Sequence, residues 1–130
     1  MILILSPLLF CVPQDSVLGP VLLILCTQPL SDIIDRHSVL HHMFVDDTEL
    51  YKFSDRSSIS SPTAMQSCVS DVKDWSLVNW LQLSEDETET ILLDPSQSAN
   101  LLASLQIGQT CIHFADCSRN LGIIVYSSLL

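Results

Sequence analysis

Apolar residues crowd the first 26 positions and are broken once, at Val12-Pro13-Gln14-Asp15-Ser16, which reads as a loop. Ser16 is a natural N-cap for a helix over about residues 17–34, and Gly19-Pro20 fall in its first turn, where proline is tolerated. The run Val17 to Cys26 predicts a buried helix; at about ten residues it is short of the ~20 needed to cross a bilayer, so no transmembrane helix is expected. Two β-prone runs follow, Val39 to Val45 and Thr48 to Phe53, joined by Asp46-Asp47, and they predict a hairpin with both acids at its tip. After a Ser-rich loop, Ser61-Pro62 opens the clearest helix, with apolar positions at Met65, Cys68, Val69, Val72 and Trp75, ending near Asn79. Leu81 and Leu83, an acidic turn from Ser84 to Glu87 and a strand from about Glu89 to Leu93 come next, closed by Asp94-Pro95-Ser96. The tail holds three strand candidates, Leu102 to Ile107, Cys111 to Phe114 and Leu121 to Tyr126, with Gly108-Gln109 as a turn. Strands and helices alternate irregularly without an internal repeat, which predicts an α+β fold.

A length of 130 residues allows one domain, and a chain of this size buries roughly two thirds of its unfolded surface. With 48% hydrophobic and 15% charged residues it is no disordered chain; it has the balance of a piece whose apolar faces expect neighbours. Fifteen acidic against five basic residues give a net charge of −10, which repels phosphate backbones and makes nucleic-acid binding by bulk charge untenable. Five cysteines without a CxxC pair argue against a disulfide framework and are read as reduced, mostly buried side chains in an intracellular rather than secreted protein. A signal peptide over residues 1–26 is the competing possibility, but Met1 to Phe10 has no basic start and no small-x-small cleavage site.

Two adjacent carboxylates at a tight turn can converge on one ligand, whereas consecutive strand residues point to opposite faces. Mg²⁺ favours such oxygens, and a pair of ions about 3.5–4 Å apart can clamp both the attacking and the leaving oxygen of a phosphoryl transfer. Asp-Asp by itself is an ordinary solvated turn. Its flanks are more distinctive: Met43-Phe44-Val45-Asp46-Asp47-Thr48-Glu49-Leu50-Tyr51 resembles the [FY]-[AV]-D-D-T-x-L-Y core of LINE-type (non-LTR retrotransposon) reverse transcriptases. Upstream, Val12 to Pro20 is similar to that family's V-P-Q-G-S-x-L-G-P loop, and Pro29-Leu30-Ser31-Asp32-Ile33-Ile34 to the helix after it. Downstream, Asn79 to Glu89 resembles N-x-L-K-L-N-x-D-K-T-E, and Arg119-Asn120-Leu121-Gly122-Ile123-Ile124 resembles the R-N-L-G-V-x primer-grip segment.

The resemblance implies an apolar segment at 1–10 and a partial reverse transcriptase domain at 11–130: part of a right-hand polymerase palm, with a catalytic-type hairpin, two main helices and a C-terminal hairpin region. It implies Asp46 and Asp47 as Mg²⁺ ligands, Asp46 the more critical, and Pro13, Gln14, Asp15 and Ser16 beside template and nucleotide. By the same resemblance Ser84 to Thr88, with Glu87, flank the nucleotide phosphates and Leu121-Gly122 support the primer end, so the ancestral partners are an RNA template, a DNA primer and a dNTP.

Three departures predict that polymerase activity is lost. A further metal-binding aspartate of the family comes from a strand upstream of the loop, yet none of the ten residues before Cys11 is acidic. The family glycine of V-P-Q-G is Asp15, which adds a Cβ and a repelling charge, and the lysine of D-K-T-E is Glu87, which cannot serve as its cationic proton donor. The chain is therefore expected to be an inactive retrotransposon remnant, or alternatively an interaction protein whose exposed apolar surfaces bind a protein partner or a membrane.

Other constellations are weaker. His37 and His41 would share a helical face, but a strand is expected at 41–42. Cys111-x-His113-x₃-Cys117 lacks a fourth ligand, Trp75 and Trp80 are read as core rather than base-stacking platforms, and His113, Asp116 and Ser118 have no nucleophile elbow.

Overall fold

A computed structural model of the protein describes residues 2–5, 7–9, 17–44, 46–53, 60–93, 104–120 and 122–127. The helix expected at 17–34 is α1, Leu18–Asp35. Its buried residues, Gly19, Leu23, Thr27, Leu30 and Ile34, recur every three or four positions and so form one stripe. Val17 occupies the cap without a side-chain hydrogen bond, while Ser16 lies outside the described residues. Pro29 sits inside the helix. Close by, Thr27 Oγ1 donates to the Leu23 carbonyl at 2.9 Å.

β1, Ile2–Leu5, and β2, Pro7–Leu9, precede α1; these short strands in the apolar N-terminal segment carry no period-2 signal in the sequence. After α1 the chain turns through Ser38, at φ 52°, into β3, Leu40–Phe44, and β4, Asp47–Tyr51. This hairpin is the expected one to within a residue or two at its ends, and Phe44 pairs with Asp47. The second helix, α2, spans Ser60–Val78 and buries Met65, Cys68, Val69 and Val72 as its apolar period requires. Beyond it come β5, Leu81–Leu83, and β6, Glu89–Ile91.

The unexpected β1 is central. It pairs antiparallel with β4 on one side and β6 on the other, giving a sheet of order β3-β4-β1-β6. With α1 and α2 in the crossovers, this is the β-α-β-β-α-β arrangement of two interleaved split βαβ units. β2 pairs with β5.

Strand alternation divides the sheet. Leu50, fully buried on β4, faces the helices and joins a core of Leu30, Ile34, Val39, Met65, Cys68, Val69, Val72, Leu83, Leu105, Ile107 and Ile112. Each such fully buried aliphatic is worth roughly 1.5–3 kcal/mol. The last three of those residues come from a C-terminal hairpin, β7, Ser104–Ile107, and β8, Thr110–His113, turning at Gly108 as expected. The Gln66 amide on α2 pairs with the edge of β7, accepting from the Gln106 N–H at 2.8 Å and donating to its carbonyl at 2.6 Å. Lys73 and Thr110 both donate to Glu85, joining α2, the acidic turn and β8, and these bonds hold the Glu85 carboxyl below its usual range. Gly108, at φ +60°, leaves room for that lysine: a Cβ there would lie 2.0 Å from Lys73 Nζ. A last hairpin, β9, Cys117–Asn120, and β10, Ile123–Tyr126, packs β9 against β6.

Several burial expectations are corrected. The first half of α1 is a helix but not a buried one: Val17, Leu18, Val21, Leu22, Ile24 and Leu25 are all exposed, because only one of its faces meets α2 and β3. The helix also runs on through residue 35, so its 18 residues reach the length and apolarity that can cross a membrane, with 22% of the window buried; the shorter apolar run indicates none. Core helices of soluble proteins meet the same criterion. Among the described cysteines only Cys68 is buried, and Cys26, Cys111 and Cys117 are exposed. Trp75 packs on the core as expected, whereas Trp80, held at φ 61° just past α2, is 88% exposed.

Candidate functional site

The turn between β3 and β4 contains two residues, 45 and 46, because Phe44 and Asp47 form its closing pair. Asp46 is exposed on the turn, and Asp47 opens β4, half-buried. The strand register puts other expected positions at the same end of the sheet. Leu5 of β1 pairs with Thr48, one residue from Asp47, and Ile4 pairs with both Glu49 and Glu89. The turn from Ser84 to Thr88, closed by Thr88 Oγ1 donating to the Ser84 carbonyl at 2.6 Å, therefore enters β6 at the hairpin-tip end, with Glu87 exposed on it. Gly122 lies apart, in the β9–β10 turn at φ +83°, with open space where a Cβ would project. Pro13, Gln14, Asp15, Ser16 and Leu121 lie outside the described residues.

Asp47, Glu49 and Tyr51 alternate onto the sheet face away from the helices, together with Leu40, His42 and Phe44 of β3. Glu49 is a site residue that the sequence reading does not single out, although its i+2 spacing from Asp47 is an available signal. It is 4% exposed, accepts a hydrogen bond from the Tyr51 hydroxyl and lies 3.9 Å from His42 Nδ1. Its carboxylate is thus engaged roughly 7 Å along the strand from Asp47. Among the described residues no three His, Cys, Asp or Glu side chains converge to hold an ion.

The strand that pairs with β4 on the side away from β3 brings no acid. It is β1, whose sequence is Ile2-Leu3-Ile4-Leu5, without a carboxylate. Charge reinforces the point, since Asp46, Asp47, Asp86, Glu87 and Glu89 gather at one end of the sheet, where Lys73 is already bonded to Glu85. Ser118 donates to Glu89, tying β9 to this end of β6.

Among the described residues the histidines join polar side chains rather than one another. His37 Nε2 meets Asp71 Oδ2 at 2.7 Å, joining the end of α1 to α2. His41 points to the helix side, with Nε2 2.7 Å from Ser31 Oγ and Nδ1 3.5 Å from Asp35 Oδ1. That order mimics a hydrolytic triad. Ser31, however, sits in mid-helix, where the surrounding N–H groups already bond carbonyls one turn back and cannot steady an oxyanion. The trio is better understood as a polar tie between α1 and β3. No protein-family model, curated protein or solved structure matches this chain.

Proposed function

We propose that the chain is a palm-type reverse transcriptase fragment of LINE ancestry, RNA-directed DNA polymerase by descent, that no longer polymerises. The observation that carries this reading is the placement of Asp46 in the turn and of Asp47 at the first position of β4, in a hairpin within a β-α-β-β-α-β arrangement, with the Ser84 to Thr88 turn at the same end. A palm needs that convergence: metal-binding acids on a rigid turn, and the nucleotide-flanking segment beside them. Asp46 and Asp47 would hold Mg²⁺, which supplies charge neutralisation at the phosphates when bound. Pro13 to Ser16 and Leu121-Gly122 keep the template-side and primer-side roles that the resemblance assigns them.

Loss of activity is supported by the same geometry. The strand flanking the tip has leucines and isoleucines where a further carboxylate is required, and the charge gathered around the tip opposes an incoming triphosphate. Mg²⁺-dependent extension of a DNA primer on an RNA template tests this. The native chain and Asp46→Ala should be equally inactive, and Asp15→Gly with Glu87→Lys should not restore extension while β1 stays acid-free. Extension by the native chain that Asp46→Ala abolishes would overturn the loss of activity.

A second reading, a non-catalytic interaction protein, is favoured by one observation: the exposed apolar face of α1 from Val17 to Leu25. A cooperative melt of a soluble monomer would count against it.

A further inference from the structure

The free edge of the four-stranded sheet is β3, last in the order β3-β4-β1-β6, and among the described residues no strand lies beyond it. Phe44 and Asp47 close a two-residue turn, so Leu40, His42 and Phe44 exchange backbone bonds with β4. His41 and Met43 consequently turn their N–H and C=O groups outward. Edge strands are usually protected by lysine, proline or a bulge, and Leu40-His41-His42-Met43-Phe44 has none of these.

We propose that this edge pairs antiparallel with β3 of a second copy of the chain, about a two-fold axis at His42, so that the two sheets run on as one. The strand is complementary to itself. Pairing centred on His42 forms four backbone hydrogen bonds between His41 and the other copy's Met43, and it sets Leu40 against the other copy's Phe44 on the open face. Leu40 and Phe44 are 58% and 50% exposed in the single chain, so both gain cover.

Charge selects the same orientation. Lys52, whose ammonium donates to the Ser38 carbonyl at 2.7 Å, and Arg36 stand at the start of β3, whereas Asp46 and Asp47 stand at its end. The antiparallel register lays residue 46 of one copy opposite residue 38 of the other, next to the bound lysine, and symmetry repeats the contact. Asp35 shares the basic end but is engaged by His41. Parallel pairing would instead set acid on acid. A membrane or a different protein would satisfy the apolar side chains without using this polarity.

Sedimentation of the full chain from about 1 to about 100 µM should show a monomer–dimer equilibrium. Met43→Pro removes an outward N–H at an edge position, where proline is tolerated, and should weaken dimerisation at least tenfold without changing the circular dichroism. Asp46→Lys and Lys52→Glu should each weaken it similarly, and their mixture should restore association, because the mixed pair again places opposite charges together. With Cys11, Cys26, Cys111 and Cys117 replaced by Ser, His42→Cys should form an intermolecular disulfide under mild oxidation far faster than Leu40→Cys, since only residue 42 faces its own copy. A chain that stays monomeric throughout, a dimer indifferent to Met43→Pro, equal crosslinking at 40 and 42, or no rescue on mixing would overturn the proposal. If Met43→Pro fails to fold, the charge mixture and the crosslink decide alone.

Discussion

Single residues carry both the clearest sequence signal and the clearest strain. The hairpin around Asp46 and Asp47 is legible in the sequence because it depends on near neighbours, although Asp47 opens β4 rather than sharing the turn with Asp46. Glu49 is not legible there, because its burial depends on the opposite face of a sheet. Trp80 departs from expectation for a related reason: aromatic residues are usually buried, but the end of α2 throws this one outward at φ 61°. A left-handed backbone suits glycine, so Trp80→Gly should raise stability by about 0.5–1 kcal/mol in urea titration, with no packing to lose. Cys68 offers a pH test. Burial, aided by Asp71 and partly offset by Lys52, pushes its thiol from 9.0 up to about 11. The folded state therefore holds a proton that the unfolded chain releases, and stability contributed by this group falls as pH rises between those values. Cys68→Ala should flatten that alkaline decline, and in the native protein Cys26, Cys111 and Cys117 should react with thiol reagents while Cys68 does not.

At the scale of elements, periodicity locates both long helices and the central hairpin to within a residue or two, since each repeats its apolar signal over several turns or strand positions. It does not say how deeply an element is buried. α1 is apolar on both faces, yet only the Leu23, Thr27, Leu30, Ile34 stripe meets the core. Leu30→Ala should thus cost about 2–4 kcal/mol by denaturant unfolding, whereas Leu25→Ser, at a position 61% exposed, should stay within about 0.5 kcal/mol and improve solubility. β1 and β2 escape the pattern because a short apolar run has no period to read, and β9, Cys-Ser-Arg-Asn, because its strand form comes from pairing with β10.

For the whole molecule, charge dominates outside the core. Against a net −10, the ion pairs include a lysine contact, Lys73 to Glu85, and histidine contacts of His37, His41 and His42. Self-repulsion should be screened by salt, so the melting temperature should rise by a few degrees between roughly 0.01 and 0.15 M NaCl. The fold class, the α2 stripe, the hairpin and its paired acids follow from the sequence alone, because local periodicity and turn chemistry act between residues a few positions apart. Which strand stands beside the tip is decided only by tertiary structure. Register across the sheet joins Leu5 to Thr48 and Ile4 to Glu89, contacts between distant segments that no local pattern encodes. That pairing sets an acid-free strand, β1, beside β4, and it leaves β3 as the edge with no strand described beyond it.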